Sequence, residues 1–235
     1  MLRNLRGLLA LTLLTLLASA LNANYLYKDE ITHNQRFHQE IEDLGKELYD
    51  KTGIAVRVIM LKKLPKDQTI SEYEKSIADQ FKEPTVLLTF SELDQKVDIL
   101  AKPHSLYKLF DKKQILSPVA SYVQSLFMAL FFTHSWEEFK ETVSDYGGSI
   151  IPLLAQKSKK EQDTINKYAA AIFNGYADLT SQIATSKGVK LSHDVGNANK
   201  DVLAILKVLF YGFILYAIVA YIRIRLKHKR QKNDV

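Results

Sequence analysis

The sequence predicts an α/β (α+β) protein: a small mixed β-sheet covered by helices, followed by a helical C-terminal region and one transmembrane helix. Three observations carry this prediction. Two short apolar runs rich in β-branched residues, Ile54 to Leu61 and Thr85 to Phe90, are each preceded by a segment of helical periodicity. Beyond Leu106 the pattern is helical throughout. Near the C-terminus, the run Val202 to Ile222 is almost wholly apolar and is followed at once by RIRLKHKRQK.

Along the chain, Ile31 to Thr52 places Phe37, Ile41, Leu44 and Leu48 at spacings of 4, 3 and 4, a single apolar stripe on a helix. Gly53 is set to end it. Ile54 to Leu61 (IAVRVIML) then reads as a buried strand, and Pro65 to Gln68 as a loop. Thr69 opens a second helix in a capping box with Glu72, and Ile70, Tyr73, Ile77 and Phe81 turn inward. Thr85 to Phe90 (TVLLTF) is the next strand and Ser91 to Gln95 a polar turn. Lys96 to Ala101 is a third strand with Val97, Ile99 and Ala101 on one face. The step from Ile54 to Phe90 predicts a parallel crossover, and the last two strands predict a hairpin.

The remainder is helical. Gln114 to Phe132 is apolar around much of its circumference but is interrupted by Ser121, Gln124 and Ser125, as expected of a core or interfacial helix. Trp136 to Tyr146 is amphipathic and Gly147-Gly148 breaks it. Ser158 with Glu161 forms another capping box, opening a long helix whose buried stripe is Ile165, Tyr168, Ile172, Tyr176, Leu179 and Ile183. The expected plan is a leader over 1–20, an α/β domain over 21–132, a helical extension over 133–187, a tether over 188–201, a transmembrane helix over 202–222 and a basic tail over 223–235.

The two ends define a topology. At about 1.5 Å per residue, Val202 to Ile222 spans roughly 30 Å, the thickness of a hydrocarbon core. Its single charge, Lys207, either carries its ammonium to the headgroups or meets an acidic group on a partner helix, which makes it a candidate membrane or partner contact. Arg3 and Arg6, the leucine-rich run Gly7 to Leu17 and the small residues Ala18-Ser19-Ala20 have the layout of a secretory signal. Basic residues flanking a span stay cytoplasmic, so the segment from about Leu21 to Asp201 is expected in the periplasm or an equivalent extracytoplasmic space. The protein would sit in the inner (cell) membrane with its C-terminus cytoplasmic.

Charge follows from that topology. The whole chain has 32 Lys and Arg against 26 Asp and Glu. Setting aside Arg3, Arg6, Lys207, the six basic residues of the tail and Asp234 leaves 23 basic against 25 acidic residues. The exported segment is therefore close to neutral, and nothing in it favours a nucleic acid as partner. The chain has no cysteine, hence no disulfide, no thiolate metal site and no acylated cysteine.

The succession Leu48-Tyr49-Asp50-Lys51-Thr52-Gly53, then Ile54-Ala55-Val56-Arg57-Val58, then Thr69-Ile70-Ser71-Glu72-Tyr73, then Val86-Leu87-Leu88 turning to Lys96-Val97-Asp98-Ile99 resembles the TPM domain. This family occurs in thylakoid-lumen photosystem-maintenance proteins and in secreted or membrane-anchored bacterial proteins. The resemblance covers about Ile31 to Leu130. It implies a binding role in assembly or maintenance of a membrane complex, and in some members acid phosphatase activity or calcium binding. Two departures stand out. Glu83-Pro84-Thr85 replaces an Asn-Gly before the second strand, and Lys102-Pro103-His104-Ser105 replaces a Gly-x-Gly after the hairpin. Those glycines would let backbone amides approach an ion or phosphate closely.

Candidate chemistry is sparse. His33 and His38 are five apart and project about 140° from one another, unlike a metal pair at spacing four. His104, His134 and His193 are scattered. Glu92, Asp94 and Asp98 at the hairpin have the oxygen ligands a hard cation such as Ca2+ requires. Lys102, His104 and Ser105 have the groups to meet an anion or a phosphoryl group, but no nucleophile signature accompanies them. The expectation is a non-catalytic, single-pass membrane protein that needs no cofactor and whose extracytoplasmic domain binds a protein partner. A phosphatase-like hydrolase or a calcium-binding module is the alternative.

Overall fold

Four strands in the order β1-β2-β3-β4 form one sheet in the computed structural model, which describes residues 24–158, 160–192, 208–223 and 225. The chain runs β1 (Leu26–Asp29), α1 (Gln35–Thr52), β2 (Ala55–Leu61), α2 (Ile70–Ala78), β3 (Thr85–Ser91) and β4 (Lys96–Lys102). A 3-10 helix (His104–Leu109), α3 (Lys112–Ile115), α4 (Tyr122–Phe132), α5 (Trp136–Ser144), α6 (Ile151–Leu154) and α7 (Glu161–Ser186) follow. β1 and β2 pair in parallel, as do β2 and β3, while β3 and β4 form the antiparallel hairpin. The sheet is mixed, as the sequence predicts.

Local chemistry explains the starts and stops. The Asn34 side chain accepts from the amides of Arg36 and Phe37 and so begins α1, which ends at Gly53 in the left-handed region (φ 69°). The Thr69–Glu72 capping box opens α2 in both directions. Every residue of β2 and β3 is buried, because both strands are covered on both faces. Alternation then assigns the faces: Val56, Val58, Met60, Val86, Leu88, Phe90, Ile99 and Ala101 pack with α1 and α7. On the opposite face Ile59, Leu61 and Leu87 pack under Tyr73, Ile77 and Ala78 of α2.

The long helix α7 belongs to the core that α1 and the sheet form. Tyr168, Ile172, Tyr176, Leu179 and Ile183 are buried there with Phe37, Ile41, Leu44 and Leu48 of α1. The Tyr176 hydroxyl lies 3.2 Å from the carbonyl oxygens of Ile41 and Val56, joining α1, β2 and α7 at one buried point. Beyond α7, Val189 and Leu191 also pack on this core, and Lys190 and Ser192 bond Lys51 and Glu47 of α1. The chain over 24–192 is thus built around one principal core, and residue 132, where the expected domain boundary lies, falls at the end of α4.

Three local expectations require correction. The first strand, Leu26–Asp29, is absent from the sequence reading, because four residues with two charges carry no strand signal of their own. The single helix expected over Gln114 to Phe132 is two: α3 ends at Ile115 and α4 begins after the Ser121 cap, with Ser117 and Val119 buried between them. The expected Ser158–Glu161 box is not used; Lys160 occupies the N-cap of α7 without a side-chain bond.

The expected leader over 1–20, His193, Lys207 and Val202 to Lys207 of the expected span lie outside the described residues. Residues 208–223 form a helix whose large apolar side chains are exposed. Among the described residues no helix is long and apolar enough to cross a membrane.

Candidate functional site

The residues singled out by sequence fall in three places. At the carboxyl ends of the parallel strands lies a charged edge, the position where open α/β sheets commonly take ligands. Lys62 follows β2 and Glu92 follows β3, and their side chains pair at 3.0 Å. Glu30, after β1, pairs with Lys28 at 2.6 Å and accepts from the Lys62 amide. Asp29 accepts from the amides of Ile31, Thr32 and His33 and from the Thr32 hydroxyl. Burial alone would raise its pKa, but these bonds together hold the carboxyl below the usual range. Asp94 accepts from the Leu64 amide at 2.7 Å and from Ser91 Oγ at 2.6 Å, and the Leu64 bond is the main reason its pKa is lowered.

Asp98 sits elsewhere. It is opposite Thr89 on β4, and by alternation it shares the face under α2. Its carboxylate meets Lys112 Nζ at 2.5 Å. Facing it is Glu74 of α2, which has 0% exposure and whose oxygens, like the Thr89 hydroxyl, have no hydrogen bond of full geometry. Burial, reinforced by the negative charge of Asp98 and only partly offset by Thr89 and Lys112, pushes the Glu74 carboxyl up to about 8. At neutral pH this carboxyl keeps its proton. On the same face Arg57 is buried with its guanidinium 3.9 Å from the Phe81 ring centre, bonded to Thr85 at 3.0 Å and to Glu83 at 2.5 Å.

The third place is the loop after β4. Lys102 Nζ pairs with Asp79 at 2.8 Å, and His104 packs edge-on against Tyr107 with ring centres 5.0 Å apart. Ser105 is exposed. The Tyr107 hydroxyl accepts from the Ala101 amide at 3.1 Å and lies 3.4 Å from the Ile99 carbonyl, so this loop covers the outer edge of β4.

The structure therefore does not bring Glu92, Asp94 and Asp98 together. One is paired with Lys62, one locks the hairpin turn to Leu64, and one lies on the α2 face against Lys112. Among the described residues no group of three or more His, Asp or Glu is placed to hold a metal ion. Nor do Lys102, His104 and Ser105 form a nucleophile–base pair. The buried carboxyl of Glu74 is not among the candidates that the sequence offers. Its signal was present: it stands four residues after Ile70, on the inward stripe of α2, where an apolar residue is expected.

Residues 30–128 match the model of the TPM domain family. The chain carries a TPM domain. The match takes in α1, β2, α2, β3, β4, the 3-10 helix, α3 and most of α4, and it stops before α7, which completes the core on the α1 face. No curated protein matches the chain closely enough to count as a relative.

Proposed function

We propose that this protein is a single-pass membrane protein whose extracytoplasmic TPM domain acts by binding a protein partner, in the assembly, maintenance or regulation of a membrane or envelope complex. The observation that carries the reading is the engagement of the charged candidates. Lys102, Glu92, Asp94 and Asp98 are each held by an internal partner, and His104 packs edge-on against Tyr107. An enzyme would instead hold a nucleophile against a base at a place open to substrate. Membrane attachment is supported by the apolar run from Val202 to Ile222 with its basic flank, and export by the signal-like residues 1–20. In that topology Lys207 either reaches the outer headgroups or pairs with an acidic group of the partner's membrane helix.

The test is purification of the full chain from membranes in mild detergent. A stoichiometric companion protein is expected, weakened by Lys207→Leu if Lys207 meets the partner. Recovery of the chain alone would overturn the reading. The competing reading comes from the family model, whose name includes a phosphatase. Hydrolysis of an aryl phosphate by the purified chain, lost on Asp94→Ala or His104→Ala, would establish that reading. The same preparation tests the calcium-binding alternative: Ca2+ is expected to leave its melting temperature unchanged.

A further inference from the structure

Helices α4 and α5 form a hairpin joined by Thr133 to Ser135, and it is assembled with its large residues outward. The side of α4 that meets α5 is made of small residues: Ser125, whose hydroxyl bonds the Thr142 carbonyl, and Ala129 are its only buried positions. Its large apolar side chains are in the open, with Phe131 71% and Phe132 74% exposed, and Trp136 at the start of α5 is 67% exposed. No residue of α5 is buried. Phe127 stacks on Phe131 and Trp136 on Phe139, which makes the outer surface aromatic and stiff. Soluble domains rarely leave so large a contiguous apolar surface in water.

The breadth of that surface indicates what covers it. At 100° per residue, Val123, Phe127, Met128, Leu130, Phe131 and Phe132 occupy an arc of about 200° around α4. A helix docked against protein offers a stripe of roughly 100°. Hydrocarbon, which closes around a side chain from every side, wets the wider arc. The length of α4, 11 residues, corresponds to about 16 Å, half of a hydrocarbon core, so the hairpin is too short to cross a membrane and suits its interface. Tryptophan at its turn suits the headgroup boundary, with Lys140 Nζ 5.5 Å from the Trp136 ring centre. Glu137, Glu138 and Glu141 outnumber Lys140 on α5, which favours zwitterionic over anionic lipid.

We infer that the α4–α5 hairpin is a second membrane contact, which inserts Phe127, Leu130, Phe131, Phe132 and Trp136 into the interfacial zone of a zwitterionic bilayer. The hairpin carries this by its own surface and does not depend on the C-terminal anchor proposed above. The chain has one tryptophan, so Trp136 reports on it directly. The full chain is reconstituted in phosphatidylcholine vesicles with and without brominated acyl chains. The expected result is a blue-shifted Trp136 emission that is lost in the brominated vesicles and is insensitive to aqueous acrylamide. The double variant Phe131→Ser, Phe132→Ser changes only exposed positions, and should return the emission to its aqueous form with the circular dichroism unchanged. Emission quenched by acrylamide and unaffected by bromine would overturn the inference. So would emission shielded from both quenchers, which would mark a protein-covered interface, and so would failure of the chain to float with the vesicles. Alkaline carbonate separates the two membrane readings. Release of a chain whose Trp136 is lipid-quenched leaves the hairpin standing and removes the anchor, while a retained chain with an aqueous Trp136 does the reverse.

Discussion

Two buried polar residues, Tyr176 and Glu74, show how differently a polar atom in a core can be handled. Tyr176 fills space with its ring and places its hydroxyl against two backbone carbonyls. Phenylalanine keeps the ring and removes the bond. Tyr176→Phe should therefore cost about 1 kcal/mol of unfolding free energy, measured by urea denaturation, with no change of fold. Glu74 has no such compensation. Its folded-state carboxyl titrates at about 8 against 4.5 for the ordinary group. Between those values the folded state binds a proton that the unfolded state has released, so stability falls as pH rises through the window. Each unit of such a shift is worth about 1.4 kcal/mol, so the loss amounts to several kcal/mol. Glu74→Gln should flatten the dependence, giving similar denaturation midpoints at about pH 5 and about pH 9, whereas the wild type should lose stability at the higher value.

Helix packing turns on Gly45. A Cβ there would lie 2.4 Å from both Tyr176 Oη and Tyr25 Cγ, so the glycine is what lets two tyrosines close over α1. Alanine would gain about 1 kcal/mol of helix propensity. Overpacking of this kind costs about 1–3 kcal/mol and displaces the buried Tyr176 hydroxyl as well, so Gly45→Ala should be net destabilising. A lower melting temperature with altered near-ultraviolet tyrosine signals is the expected readout. At this scale the sequence is legible where side chains signal locally. The Thr69–Glu72 box, Gly53 and the alternation of Val97, Ile99 and Ala101 each satisfy a nearby backbone group or one face. The elements that escaped it depend on partners far along the chain. β1 exists because β2 offers an open parallel edge, and α3 is split from α4 by a turn in which Gly148 comes against the Ser117 carbonyl.

For the molecule as a whole, α7 decides what counts as the domain. It follows the TPM match by more than thirty residues, yet Tyr168, Ile172, Tyr176, Leu179 and Ile183 cover the face of the sheet that α1 leaves open. A chain ending at residue 132 would expose that face. It should show disordered amide spectra or aggregate, whereas a chain reaching Ser192 should give dispersed amide resonances. Gln114 strengthens this dependence, because it fastens α3 to α7 by donating to Asp178 at 3.1 Å and accepting from Gln182 at 2.7 Å.

What the sequence determined by itself is the strand–helix–strand order, the caps at Gly53 and Thr69–Glu72, the TPM resemblance, and an apolar C-terminal run with a basic flank. All of these are short-range patterns of side-chain type, and such patterns are fixed before the chain folds. Tertiary structure alone decided that Glu92, Asp94 and Asp98 part company, that Glu74 is enclosed beside Asp98, and that α7 shares the sheet's core. Each of those outcomes depends on which face of an element meets which distant element. The aromatic surface of α4 was visible in the sequence as an apolar helix. Only its packing, with Ser125 and Ala129 turned inward, left the large side chains outside.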